Sequence, residues 1–91
     1  MAKVEIYTKS WCPYSTRAKE RLDRKTATCE EIDVTTDIAR EREMVIRSAR
    51  HTVPQVFVGG ELVGGSDDLA LADASGRLDE LLSGGILGDA A

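Results

Sequence analysis

No stretch of this sequence stays apolar for the roughly 18 residues that a membrane-spanning helix needs, so no membrane segment is expected. Cysteine is scarce, with two in 91 residues. That is too few for a disulfide scaffold, and neither Cys12 nor Cys29 has the neighbouring Cys and His partners of a zinc site, so no metal is expected. Histidine is scarcer still, with His51 alone. The opening MAKVEIYT alternates apolar and polar residues where a signal peptide would show a basic segment and a long apolar one. A reducing, cytoplasmic setting is therefore expected. There is no internal repeat and no linker long enough to divide domains. One further absence bears on chemistry. In KSWCPYSTRAK, Lys9 to Lys19, Cys12 is followed after two residues by Ser15, where a Cys-x-x-Cys redox pair would place its second thiol.

The composition that remains is globular. Hydrophobic residues make up 42% of the chain and charged residues 31%, which excludes a disordered or fibrous polymer and leaves one compact core to supply stability. Residues 1–83 read as the domain, and 84–91, GGILGDAA, as a Gly-rich tail. A net charge of −4 argues against a nucleic-acid partner, but the charge is unevenly spread. Residues 1–25 hold seven Lys or Arg against three acids, and residues 26–91 hold five against thirteen. The basic end carries Cys12, where a positive field favours a thiolate and draws in a small anionic thiol or disulfide. Arg17 to Lys25 read as the solvated face of a helix, and Lys9 lies outside it.

Val4 to Thr8 is a short β-rich run and reads as a strand. From Pro13 onward Tyr14, Ala18 and Leu22 recur at helical spacing, with Pro13 at a first helical position where its missing N–H costs nothing. Thr28 to Val34 reads as a second strand, and Asp37 as the cap of a helix through Met44 to about Ser48. In QVFVGGELVGG two apolar runs flank Gly59-Gly60, which predicts a hairpin. Ser66 and Asp67 offer caps for a closing helical segment through Leu69, Ala70 and Ala72 to Leu78, Leu81 and Leu82. The order is strand, helix, strand, helix, hairpin, helix. It predicts an α/β fold, a mixed four-stranded sheet flanked by helices on both faces.

A thiolate, rather than a thiol, attacks disulfides, and a helix N-terminus brings a cysteine from about 8.5 down to roughly 3.5–7.5. Cys12 is placed to receive that effect. Trp11 and Tyr14 flank it with apolar surface that can cover a substrate, and the Ser15 hydroxyl is available to donate to the thiolate. An inert structural cysteine is not expected between a strand end and a Pro-started helix.

The motifs VEIYTKSWCPYS, TVPQVFVGG and LVGGSDDL together resemble the glutaredoxins of the thioredoxin superfamily, most closely the short bacterial type with a Cys-Pro-Tyr-Cys active site. The likeness covers nearly the whole domain except the tail. It implies a thioredoxin-like fold, with Cys12 as catalytic nucleophile in an active-site motif completed by Pro13, Tyr14 and Ser15. It implies glutathione as co-substrate, with Lys9 holding one of its carboxylates and Tyr14 lining the groove. Thr52, Val53 and Pro54 match a loop whose proline is cis, the Val53 backbone pairing with the cysteinyl unit as an added strand would. Gly65, Ser66 and Asp67 match the turn that grips the γ-glutamyl end, a helix N-terminus for the carboxylate and Asp67 for the ammonium. Two residues depart from the pattern: Ser15 replaces the second cysteine, and Ser66 stands where some relatives carry a further one. Cys29 is read as a core residue and His51 as a loop residue rather than a catalytic base. Arg47 and Arg50 suit either the glycine carboxylate or a solvated helix end.

The expected activity is glutathione-dependent thiol-disulfide exchange by a monothiol route, removing glutathione from glutathionylated proteins or small mixed disulfides, with the protein a monomer. Two other readings stand beside it. One is a [2Fe-2S] binding module in which two chains and two glutathiones hold a cluster through Cys12, against which Pro13 counts. The other is a dithiol enzyme whose second cysteine was replaced by Ser15 to trap an intermediate.

Overall fold

The computed structural model describes residues 2–25 and 28–83, and the tail read at 84–91 lies outside the described residues. Val4–Thr8 forms β1, Pro13–Arg24 α1, Cys29–Asp33 β2, Ile38–Ser48 α2, Gln55–Val58 β3, Glu61–Gly64 β4, Ser66–Ser75 α3 and Arg77–Leu82 α4. The sheet order is β2-β1-β3-β4. β1 and β2 are parallel and joined through α1, whereas β1 with β3 and β3 with β4 are antiparallel. The mixed sheet expected from the element order is the one observed.

Alternation along the strands sorts side chains between two cores. Val4, Ile6, Val56 and Val58 pack with Ala18 and Leu22 of α1, Leu69 and Ala72 of α3, and Leu78 and Leu82 of α4. Tyr7 and Phe57 point to the other face and meet Ile32, Val34 and Met44 of α2. Both faces of the central strands are therefore covered. Each fully buried Leu or Ile contributes roughly 1.5–3 kcal/mol.

Local signals set most of the ends. The Asp37 carboxylate accepts from the Arg40 N–H at 3.0 Å and starts α2, as the sequence suggests. Gly59 and Gly60 both have positive φ, 60° and 83°, and so turn the hairpin in the sense that matches strand twist. Two expectations are corrected. The closing helical segment is two helices, because Gly76 adopts a left-handed φ of 85° and ends α3. Ser66 and Asp67 do not cap α3; Gly65 is the N-cap, and Asp68 reaches back to accept from the Gly65 N–H at 3.0 Å. An N3 carboxylate satisfies the turn from inside the helix, which leaves the Ser66 and Asp67 side chains unneeded for capping.

Candidate active site

Cys12 ends the loop after β1 and is the N-cap of α1, with an extended backbone (φ −92°, ψ 114°). Its N–H is held by the Lys9 carbonyl at 3.1 Å, which tightens the loop into a turn. Pro13 follows at the first helical position, so the first amides facing the sulfur belong to Tyr14 and Ser15. The residue is 6% exposed, and as a thiol its Sγ points toward the Val53 carbonyl at 3.8 Å.

Burial, the largest single influence, pushes the Cys12 thiol up. The Ser15 N–H and hydroxyl, the Tyr14 N–H and the Lys9 charge together outweigh it, and the thiol sits below its ordinary value. Ser15 is itself buried and accepts from the Lys9 N–H at 3.4 Å, leaving its hydroxyl proton for the sulfur. The serine thus acts on Cys12 as a donor. Cys29 behaves in the opposite way: burial first, then Asp23 and Glu31, push its thiol up to about 11. Both cysteines are free thiols.

Cys29 lies half-buried at the margin of the core, since β2 is an edge strand that buries Ile32 alone. It pairs with Val4, at the far end of β1 from Cys12. Val4 to Thr8 spans about 13 Å of strand, whereas a disulfide needs Cα atoms within roughly 7 Å.

Beside Cys12 runs a groove of about 340 Å³. Tyr14, Thr52, Val53, Pro54, Gly65, Ser66 and Asp67 all line it, so seven residues named from the sequence meet there. The Val53–Pro54 peptide is cis, as the motif implies. A methyl group placed on Gly65 would lie 3.4 Å from the Pro54 carbonyl, so the start of α3 approaches the proline loop closely. The groove thus meets the first turn of α3, a helix start whose N–H groups suit an anion, with the Asp67 carboxylate as an acidic group beside it.

Lys9 is placed otherwise. Its ammonium lies 3.2 Å from the Glu41 carboxylate of α2 and 5.7 Å from the centre of the Trp11 ring, and it does not line the groove. Arg47 is also elsewhere: it pairs with Glu5 at 3.0 Å and donates to the Tyr7 hydroxyl at 2.8 Å. His51 is exposed and borders a separate hollow with Ile38 and Ile46. Arg50 does line the groove, held at 2.7 Å by Asp68.

Sequence reasoning missed Gln55 and Asp68. Gln55 is buried, and its carboxamide N–H donates to the Thr52 carbonyl at 3.0 Å and to the Thr52 hydroxyl at 3.3 Å, fixing the loop. A polar residue opening the apolar run QVFV was the available signal. Among the described residues, no group of three or more His, Cys, Asp or Glu is arranged to hold a metal ion, and no helix is long and apolar enough to cross a membrane.

Comparison with known proteins decides the family. The family profile described as glutaredoxin matches residues 4–63. This chain belongs to the glutaredoxin family. It is 49% identical over 82 residues to glutaredoxin 3 of Escherichia coli, a match covering 90% of this chain and 99% of that one. The solution structure of glutaredoxin from Brucella melitensis is similar at a TM-score of 0.81 and 45% identity, covering 94% of this chain and 95% of the other. A crystal structure of a buckwheat glutaredoxin–glutathione complex is similar at a TM-score of 0.83 and 26% identity, covering 91% and 78%. The fold is thus thioredoxin-like, and the glutaredoxin role is that of a thiol oxidoreductase.

Proposed function

We propose that this glutaredoxin is a glutathione-dependent thiol-disulfide oxidoreductase that works by a monothiol cycle. The Cys12 thiolate attacks the glutathione sulfur of a glutathionylated protein or small mixed disulfide. A bond forms between Cys12 and glutathione as the substrate disulfide breaks, and the substrate sulfur leaves as a thiolate that takes a proton. A second glutathione thiolate then attacks the adduct, freeing Cys12 and forming oxidised glutathione. Over the cycle the substrate sulfur is reduced from disulfide to thiol and the added glutathione is oxidised from thiol to disulfide, while the transferred glutathionyl sulfur stays at the disulfide level throughout.

The observation that carries this reading is the environment of Cys12: a sulfur at a helix N-terminus with a hydroxyl at residue 15 where a resolving thiol would stand. Cys29 is a poor substitute, with its thiol pushed up to about 11 and its place at the far end of β1. Tyr14, Thr52, Val53, Pro54, Gly65, Ser66 and Asp67 would hold the tripeptide, with Lys9, which stands outside the groove and whose charge acts on Cys12, as a further cation. The groove supports this assignment because a zwitterionic γ-glutamyl end requires both an anion-binding helix start and an acidic side chain.

The test is intact mass spectrometry after addition of oxidised glutathione. One glutathionyl group on Cys12 is expected, persisting until reduced glutathione is supplied. Ser15→Cys is expected to lose that group by closing a disulfide with Cys12, while still catalysing deglutathionylation. An unmodified chain that sheds its glutathionyl group unaided and forms an internal disulfide would make Cys29 the resolving residue and end the monothiol reading.

A further inference from the structure

Two cations stand at the edges of the site, and each is already paired with an acid. Arg50 is held by Asp68, which is itself tied to the Gly65 N–H and so anchored to the start of α3. Lys9 is held by Glu41, which has no such anchor: among the described residues, Lys9 is the one ion-pair or hydrogen-bond partner of its carboxylate. The Lys9–Glu41 pair is mostly shielded, with the lysine side chain 23% and the glutamate side chain 35% exposed. Lys9 stands three residues before Cys12, its carbonyl accepting from the Cys12 N–H at 3.1 Å and its charge acting on the Cys12 sulfur. A carboxylate entering beside Cys12 therefore meets a lysine whose charge is already satisfied.

We propose that Glu41 is a specificity-determining residue of this site, one whose carboxylate competes with the carboxylate of an incoming anionic thiol or disulfide for Lys9. The inference rests on the glutathione reading given above. It adds a residue on α2, remote in sequence, that sets how strongly an anionic substrate is held. Acidic substrates must displace Glu41, and neutral disulfides need not. An exchange of one carboxylate for another around a single ammonium leaves the number of ion pairs unchanged. Glu41 thereby lowers the benefit of each substrate carboxylate instead of blocking the site.

Trp11 provides a direct readout, since it is the chain's single tryptophan and Lys9 lies over its ring. Titration of the full chain with reduced glutathione, followed by Trp11 emission, is expected to saturate at about two- to five-fold lower concentration for Glu41→Gln than for the unmodified chain. The difference should narrow as salt is added, because part-exposed charges are screened. KM for a glutathionylated peptide should fall by a similar factor, and KM for an uncharged aromatic or aliphatic disulfide should not. In a Lys9→Met background, Glu41→Gln is expected to change neither quantity. A purely structural role in the first turn of α2 would instead persist in that background and move the thermal midpoint. Saturation by glutathione in the unmodified chain, with the same half-saturation in Glu41→Gln, overturns the inference and leaves the function standing. An unmodified chain showing neither saturation nor turnover overturns both.

Discussion

Residue 15 separates two tasks that one side chain performs when it is cysteine. A second thiol stabilises the nucleophile and later expels the glutathione bound to it by closing a disulfide, and a serine retains only the first task. The Ser15 hydroxyl and N–H both favour the Cys12 thiolate, while burial opposes it. Ser15→Ala removes the hydroxyl and keeps the amide, so the Cys12 thiol should rise toward its ordinary value. The sign follows directly: at a fixed pH below that value less thiolate remains, and the rate falls. The acid limb of the pH profile for kcat/KM is expected to move to higher pH, with the alkaline plateau recovered. A profile that keeps its midpoint would remove Ser15 from the electrostatics of Cys12.

At the scale of an element, the start of α3 is where stability and binding meet. Asp68 closes the first turn through the Gly65 N–H and also holds Arg50, so one carboxylate serves the helix and the groove. The Arg50 hydrogen bond and then the Gly65 N–H hold its carboxyl below the usual carboxylate value. Loss of a capping interaction costs about 0.5–2 kcal/mol. In a domain of this size that is roughly 4–8 °C of Tm per kcal/mol. Asp68→Ala is expected to lower Tm within that range at neutral pH and to weaken glutathione binding through a loosened α3 start. The stability deficit should vanish as pH falls through the depressed carboxyl pKa, where the unmodified chain loses the same contacts. Gly64 makes room for this contact, since its φ is 117° and an added methyl would collide with the Asp68 carboxylate.

At the scale of the whole molecule, the layers are tied together on the α2 side by charge as well as by packing. Arg47 lies 3.9 Å from the centre of the Phe57 ring, pairs with Glu5 and donates to the Tyr7 hydroxyl, which in turn donates to Glu43 at 2.7 Å. Removing the guanidinium strands the part-buried Glu5 carboxylate and leaves the buried Tyr7 hydroxyl with Glu43 as its remaining side-chain partner. Arg47→Ala is expected to destabilise the fold by about 1–3 kcal/mol in thermal or denaturant unfolding, with KM for glutathionylated substrates unchanged. The Arg47 hydrogen bond is the main reason the Glu5 carboxyl lies below its ordinary 4.5. The deficit should therefore shrink as pH drops below that value and Glu5 takes a proton in both proteins. An altered KM with intact stability would return Arg47 to the binding site.

The sequence by itself determined the elements and the nucleophile. Periodicity, the Asp37 cap, the Gly59-Gly60 turn and Pro13 are local signals, because their physics acts within a few residues. The seven groove residues were legible through motif resemblance, which carries tertiary information that no single segment contains. What the tertiary structure decided is pairing across distance. Antiparallel register sets Tyr7 opposite Gln55 and Val56 opposite Gly64, so the end of β1, the start of β3 and the end of β4 converge on one edge of the molecule. That convergence brings Cys12 to Val53 and Gly65 to Pro54. The fates of the cations were decided in the same way. Lys9, Arg47 and Arg50 are alike as basic residues near the motifs, and their acids lie 32, 42 and 18 residues away, at Glu41, Glu5 and Asp68. Ion pairs of such separation depend on how α2 and α3 lie against the sheet, a geometry fixed only when the two cores close.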